Sequence, residues 1–117
     1  MALIKSGERV RSSNHVIHND TGYFVKIPPN PDEDFEAQIR ATLTSLDDEM
    51  EQAGTHRANM LMVHIYLADI DRVAEFNGHW DTWLDGAKPP MRACVQPAKL
   101  ANPKYMLELV VTAAMTS

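Results

Sequence analysis

The sequence predicts an α+β fold in the order β-β-α-β-α-β-β, a sheet with both helices packed on one of its faces. Three observations carry this. Apolar residues recur at helical spacing in two segments, Phe35 to Met50 and Val73 to Leu84. The other apolar runs are short and bounded by turn residues, as strands are. Asn, Asp, Gly and Pro cluster at the joins. At 117 residues, with no repeat or linker, the chain is expected to form one domain over 1–117.

Val16-Ile17-His18 and Tyr23 to Ile27 flank Asn19-Asp20-Thr21-Gly22, which reads as a β-hairpin. Pro28, Pro29 and Pro31 end the second strand, because proline donates nothing to a ladder. Asp32, Glu33 and Asp34 then suit a helix start, where unpaired N–H groups favour negative charge. Phe35, Ile39, Leu43, Leu46 and Met50 form one stripe and Gly54 a stop, so a helix is expected over Asp34–Ala53. Glu36, Arg40, Asp47 and Glu51 fall on its polar face, and Asp47-Asp48-Glu49 reads as a solvated run. Met60–Ala68 is almost wholly apolar and is expected to be a strand buried on both faces. Asp69 or Asp71 can cap a second helix with Val73, Phe76, Trp80, Trp83 and Leu84 inside, ended by Gly86. Pro89-Pro90 break the chain. Met91–Gln96 and Tyr105–Met115 follow as the last two strands, joined by a loop with Asn102-Pro103.

Composition excludes several classes. Apolar residues make up 44% and charged residues 23%, ordinary for a soluble globular protein. The net charge is −5 and the basic residues are scattered, with no basic stripe or stacking platform, which counts against a nucleic-acid role. Cys94 is the single cysteine, so no intramolecular disulfide can form. This favours a reducing, cytoplasmic setting. The first ten residues carry Lys5, Glu8 and Arg9 and lack the apolar core of a signal peptide. The apolar run from Leu107 to Met115 is too short to span a bilayer, so no membrane role is expected. His15, His18, His56, His64 and His79 show no metal-site spacing, and no metal or other cofactor is expected.

Arg92 and Glu108 are the informative pair. Each is a charge in an otherwise apolar strand, and a buried charge is costly unless it is paired. If the two strands are neighbours, the pair could share a face. One reading is a structural ion pair at a subunit contact. The other is a site in which Arg92 grips a substrate carboxylate bidentately and Glu108 holds or polarises a water. Cys94 has no basic cluster beyond Arg92 and reads as a small buried hydrophobe rather than a nucleophile.

Pro90-Met91-Arg92-Ala93-Cys94-Val95 resembles the P-x-R-x-x-V signature of the Rid/YjgF family of imine and enamine deaminases, also called the endoribonuclease L-PSP family. Leu100 and Leu107-Glu108-Leu109-Val110-Val111-Thr112-Ala113-Ala114 resemble its closing strand. Gly54 to Asn77 matches in spacing. Trp80-Asp81-x-Trp83 with Asn102-Pro103-Lys104-Tyr105 is similar to a YoaB-like branch. The resemblance runs from about Val16 to Met115. It implies a chorismate-mutase-like fold with a mainly antiparallel sheet, a homotrimer, and clefts between subunits. It further implies hydrolysis of small 2-imino or enamino acids such as 2-aminoacrylate to 2-oxo acids and ammonia, without metal or cofactor. Arg92 would bind the carboxylate and Glu108 would position the water. Cys94 would line the cleft chiefly through its backbone, and Asn77 would lie near it. Phe24-Val25-Lys26 stand where the family has a Ser-Gly-Gln type sequence, which puts Phe24 at the position of a ligand-facing serine. The family's early pocket tyrosine has no clear counterpart, and His15 or His18 falls nearer that spot. Alongside deamination stand a non-catalytic carboxylate-binding regulator and, least favoured by the acidic charge, an endoribonuclease.

Overall fold

A computed structural model describes residues 2–115; Met1, Thr116 and Ser117 of the expected 1–117 domain lie outside the described residues. The strands are β1 (Leu3–Lys5), β2 (His15–His18), β3 (Thr21–Lys26), β4 (Met60–Leu67), β5 (Met91–Val95) and β6 (Leu107–Ala114). The helices are α1 (Phe35–Ala53) and α2 (Val73–Leu84). One six-stranded sheet has the order β1-β2-β3-β6-β4-β5. Every neighbouring pair is antiparallel except β4 and β5, which α2 joins as a crossover. Both helices pack on the same face of this sheet, the α+β architecture that the chain order predicts.

α1 begins where Asp34 Oδ1 accepts the Ala37 amide at 2.9 Å, and ends where Gly54 turns to φ 97°. Phe35, Ile39, Leu43, Leu46 and Met50 are all buried against the sheet. The hairpin turns at Asn19, whose φ of 58° suits asparagine. Asp69 caps a short 3₁₀ turn, Ile70–Arg72, that leads into α2.

Three expectations change. β1 adds a strand at the sheet edge, pairing Leu3 with His18 and Lys5 with Val16. Its three residues are all exposed, so it carries no alternation to detect. β4 is buried on one face only. Val63, Ile65 and Leu67 turn to the helices, while Met62, His64 and Tyr66 lie half-buried on the opposite, open face. The Asp47-Asp48-Glu49 run is not simply solvated. Glu49 is buried, with Oε2 2.5 Å from His15 Nδ1 and Oε1 3.2 Å from Lys26 Nζ. Asp47 accepts hydrogen bonds from Arg57 and from the Trp83 indole, each at 2.8 Å. α1 lies over the sheet so closely that its flanks bury polar side chains too. Gln38 is one: it donates to the carbonyls of Pro31, Glu33 and Lys104 and accepts the Met106 amide at 2.9 Å. It thereby fixes the loop before β6.

Candidate functional site

The sheet register decides how the proposed pair can act. β4 lies between β5 and β6, so Arg92 and Glu108 are not on neighbouring strands. Arg92 pairs with Val63, and Glu108 pairs with Tyr66. Paired residues share a face of a pleated sheet, while Val63 and Tyr66 are an odd number of residues apart. Arg92 therefore faces the helices and Glu108 faces the open side. The intramolecular Arg92–Glu108 pair anticipated from alternation does not form, because the intervening strand and the pleat separate them.

Arg92 stands on the edge strand under α2. Its Nη2 donates to Asn77 Oδ1 at 2.6 Å. Its guanidinium carbon lies 5.6 Å from the Trp80 ring centroid and 5.9 Å from that of Phe76. These rings are buried in the core, and their electron-rich faces stabilise a cation beside them. Asn77 and Phe76 are successive residues of α2, so one turn of helix supplies both the acceptor and a platform. The structure thus brings together Arg92 and Asn77 and places Cys94, two residues along the strand, on the same face. The Cys94 thiol is half-buried, and burial pushes its pKa up more than the Arg92 charge lowers it. That is the setting of an inert thiol.

Glu108 is half-buried on the open face, and burial alone pushes its carboxyl above the ordinary value. It lines a small cavity of about 200 Å³ with Tyr66, Lys99 and Leu100. Tyr66 and Lys99 were not singled out in the sequence. Tyr66 could have been found from the alternation of β4, since it shares Glu108's face. Lys99 sits in a loop, where no periodicity marks it.

Phe24 is corrected. Its side chain is 1% exposed and belongs to the core, 5.8 Å from the His15 ring. β3 alternates, and Gly22 and Phe24 turn inward while Tyr23 and Val25 face out. The substrate contact expected at this position therefore cannot come from an exposed phenyl ring of the protomer. His15 is buried on Glu49, and His18 is exposed at the hairpin. Among the described residues, no group of three or more His, Cys, Asp or Glu could hold a metal ion. No described helix is long and apolar enough to cross a membrane.

Residues 11–115 match the family model described as endoribonuclease L-PSP. The chain is 36% identical over 115 residues to the RutC family protein YoaB of Escherichia coli K12, covering 98% of this chain and 100% of that protein. It is 35% identical over 105 residues to a RutC family protein of Haemophilus influenzae, covering 88% of this chain and 90% of the relative. A solved YjgF-family protein from Neisseria meningitidis superposes with a TM-score of 0.92 at 32% identity, over 100% of this chain and 98% of that one. An uncharacterized protein from Pseudomonas aeruginosa does so with a TM-score of 0.91 at 28% identity, over 98% and 100%. Sequence and fold agree along essentially the whole chain, and the protein belongs to the Rid/YjgF family, the endoribonuclease L-PSP family.

Proposed function

We propose that this protein hydrolyses small reactive 2-imino or enamino acids, such as 2-aminoacrylate, to 2-oxo acids and ammonia in the cytoplasm. The observation that carries the reading is Arg92, held on a strand edge by Asn77 and two aromatic rings. A guanidinium fixed in this way offers its further donors in one plane, which matches a carboxylate.

Glu108 supplies the second half. 2-Aminoacrylate tautomerises to the imine of pyruvate, whose C2 accepts a water. A new C–O bond forms, the carbinolamine collapses, and the C–N bond breaks as the nitrogen leaves with a proton as ammonia. Glu108 would take a proton from the water and return it to the nitrogen. Its raised pKa suits this exchange, which contributes roughly 10²–10⁴-fold in rate.

Because Arg92 and Glu108 lie on opposite faces, this reading requires the two groups of one cleft to come from different subunits. A homotrimer with clefts at its seams meets that requirement. The apolar side chains left at the surface support it: Val25 is 54% exposed, Leu61 49%, Met91 71% and Val95 48%. A mixing experiment tests the arrangement. Arg92→Ala and Glu108→Gln, each inactive alone, should regain a fraction of wild-type turnover when denatured and refolded together. Failure to regain any, with both variants trimeric, would contradict a cleft shared between subunits.

A second reading is favoured by one specific observation. The core position of Phe24 removes a ligand-facing hydroxyl that the family resemblance leads one to expect. On that reading the cleft binds small carboxylates such as pyruvate without turnover and acts as a regulator. Retained pyruvate binding with no imine hydrolysis would select it.

A further inference from the structure

We propose that the cavity between the N-terminal loop, residues 6–14, and the open face of β3 and β6 binds a small organic dianion, a phosphate monoester or a dicarboxylate. The proposal does not depend on the role given to Arg92.

The loop is a built element. Ser6 donates to the His15 carbonyl at 3.0 Å, and Asn14 donates to the Ser6 carbonyl at 2.7 Å, closing it at its base. Arg9 Nη2 donates to the Ser13 carbonyl at 2.8 Å and clips it again across the top. Gly7, at φ 94°, lets the Asn14 amide come within 2.5 Å of where a side chain would start, so only glycine fits there. The loop thus holds its basic residues against the sheet in a set arrangement.

Beneath it lies a cavity of about 590 Å³, within the range of small-molecule sites. Lys5, Arg9 and Arg11 line it, and no Asp or Glu does. The chain carries 16 acidic and 11 basic residues, so a cavity with three cations and no carboxylate runs against its overall charge. Glu49 does lie in the smaller adjoining cavity, but His15 and Lys26 already hold its two oxygens. The field in the larger cavity is therefore positive. Two guanidinium groups and an ammonium match a ligand of two negative charges better than one. Val16, Val25 and Val110 give the ligand an apolar floor, and Thr112 adds a hydroxyl. A compact organic body carrying its charge toward the loop fits this division.

Phenyl phosphate and succinate are the two probes, measured against the wild-type protein by calorimetry at low and at physiological ionic strength. Butyrate serves as a monoanion and a short oligouridylate as a polyanion. At least one dianion should bind, with butyrate about tenfold weaker or more. Which dianion binds distinguishes a phosphate from a dicarboxylate ligand. Arg11→Gln and Lys5→Gln should each weaken it by about tenfold, whereas Arg92→Lys should leave it unchanged. Both altered residues are exposed, and unchanged thermal melting confirms that the variants are folded. Silence of both dianions would overturn the proposal, as would equal affinity in the Arg11→Gln and Lys5→Gln proteins. So would loss of dianion binding in Arg92→Lys, which would assign the anion to the cleft. Oligouridylate binding that Arg11→Gln abolishes, with both small dianions silent, would assign the loop to nucleic acid instead.

Discussion

Glu49→Ala perturbs the most heavily engaged buried charge in the protein. Its carboxylate joins β2, β3 and α1, through His15 at 2.5 Å and Lys26 at 3.2 Å, with its side chain 9% exposed. Removing one partner of a buried ion pair costs about 3–5 kcal/mol, because the remaining charge stays desolvated and unpaired. Two features place this case at the lower end. The His15 imidazole can shed its proton, and the Lys26 ammonium, 17% exposed, keeps some water. Alanine also adds a few tenths of a kcal/mol in helix propensity. The expected loss is thus about 3 kcal/mol at pH 7. It also depends on pH in a defined direction. Burial raises the Glu49 pKa, but the hydrogen bonds and charges of His15 and Lys26 outweigh it and leave the carboxyl below its model value of 4.5. A depressed folded pKa gives stability that is fully present above the unfolded value and is lost as pH falls through the folded value. The gap between wild type and variant should therefore hold from pH 7 to about 5 and close below about 4. Urea unfolding at a fixed protein concentration measures it. A gap under about 1 kcal/mol at pH 7, or one that does not narrow in acid, would refute this account of the network.

Gln38→Leu should leave the Met106 amide without its side-chain acceptor and three carbonyls without their shared donor. A loss of about 1–3 kcal/mol is expected, with faster hydrogen exchange at Met106 as the local signature. Gly54→Ala forces a β-carbon into the left-handed conformation at φ 97° that ends α1. It should cost about 1–2 kcal/mol in thermal or urea unfolding. Because burial raises the Cys94 thiol pKa, alkylation by iodoacetamide at pH 7 should be slower than that of a free cysteine and should accelerate on unfolding. Equal rates in the folded and unfolded protein would contradict the burial.

Where local signals agreed with the three-dimensional packing, the sequence was sufficient. Asp34, the Phe35–Met50 stripe and Gly54 each act on neighbours within a few residues, and α1 starts and ends where they predict. The same holds for the hairpin and for the two final strands. Long-range register was beyond reach. That β4 inserts between β5 and β6 depends on which strand edges meet, and no residue in either strand encodes it locally. This one fact moved Glu108 to the opposite face from Arg92. The Glu49–His15 contact spans 34 residues and was hidden for the same reason, since a run of three acids on a helix resembles a solvated face. β1 was illegible because an exposed edge strand needs no apolar pattern to pair. Of the site, Arg92 and Glu108 could be found as isolated charges in apolar strands. Asn77 and Phe24 were reachable only through the family resemblance, which led to the Arg92 partner in one case and to a core residue in the other.

The most direct test of the proposed function is hydrolysis of 2-aminoacrylate generated in situ, followed as pyruvate released by purified wild type and by Arg92→Ala. Losing a charged group that holds a carboxylate costs about 3 kcal/mol, or roughly 10²-fold in kcat/KM. The account predicts wild-type acceleration over the spontaneous reaction and a loss of that size in the variant, with assembly unchanged. A wild-type rate equal to the spontaneous one, or an Arg92→Ala protein as active as wild type, would contradict it.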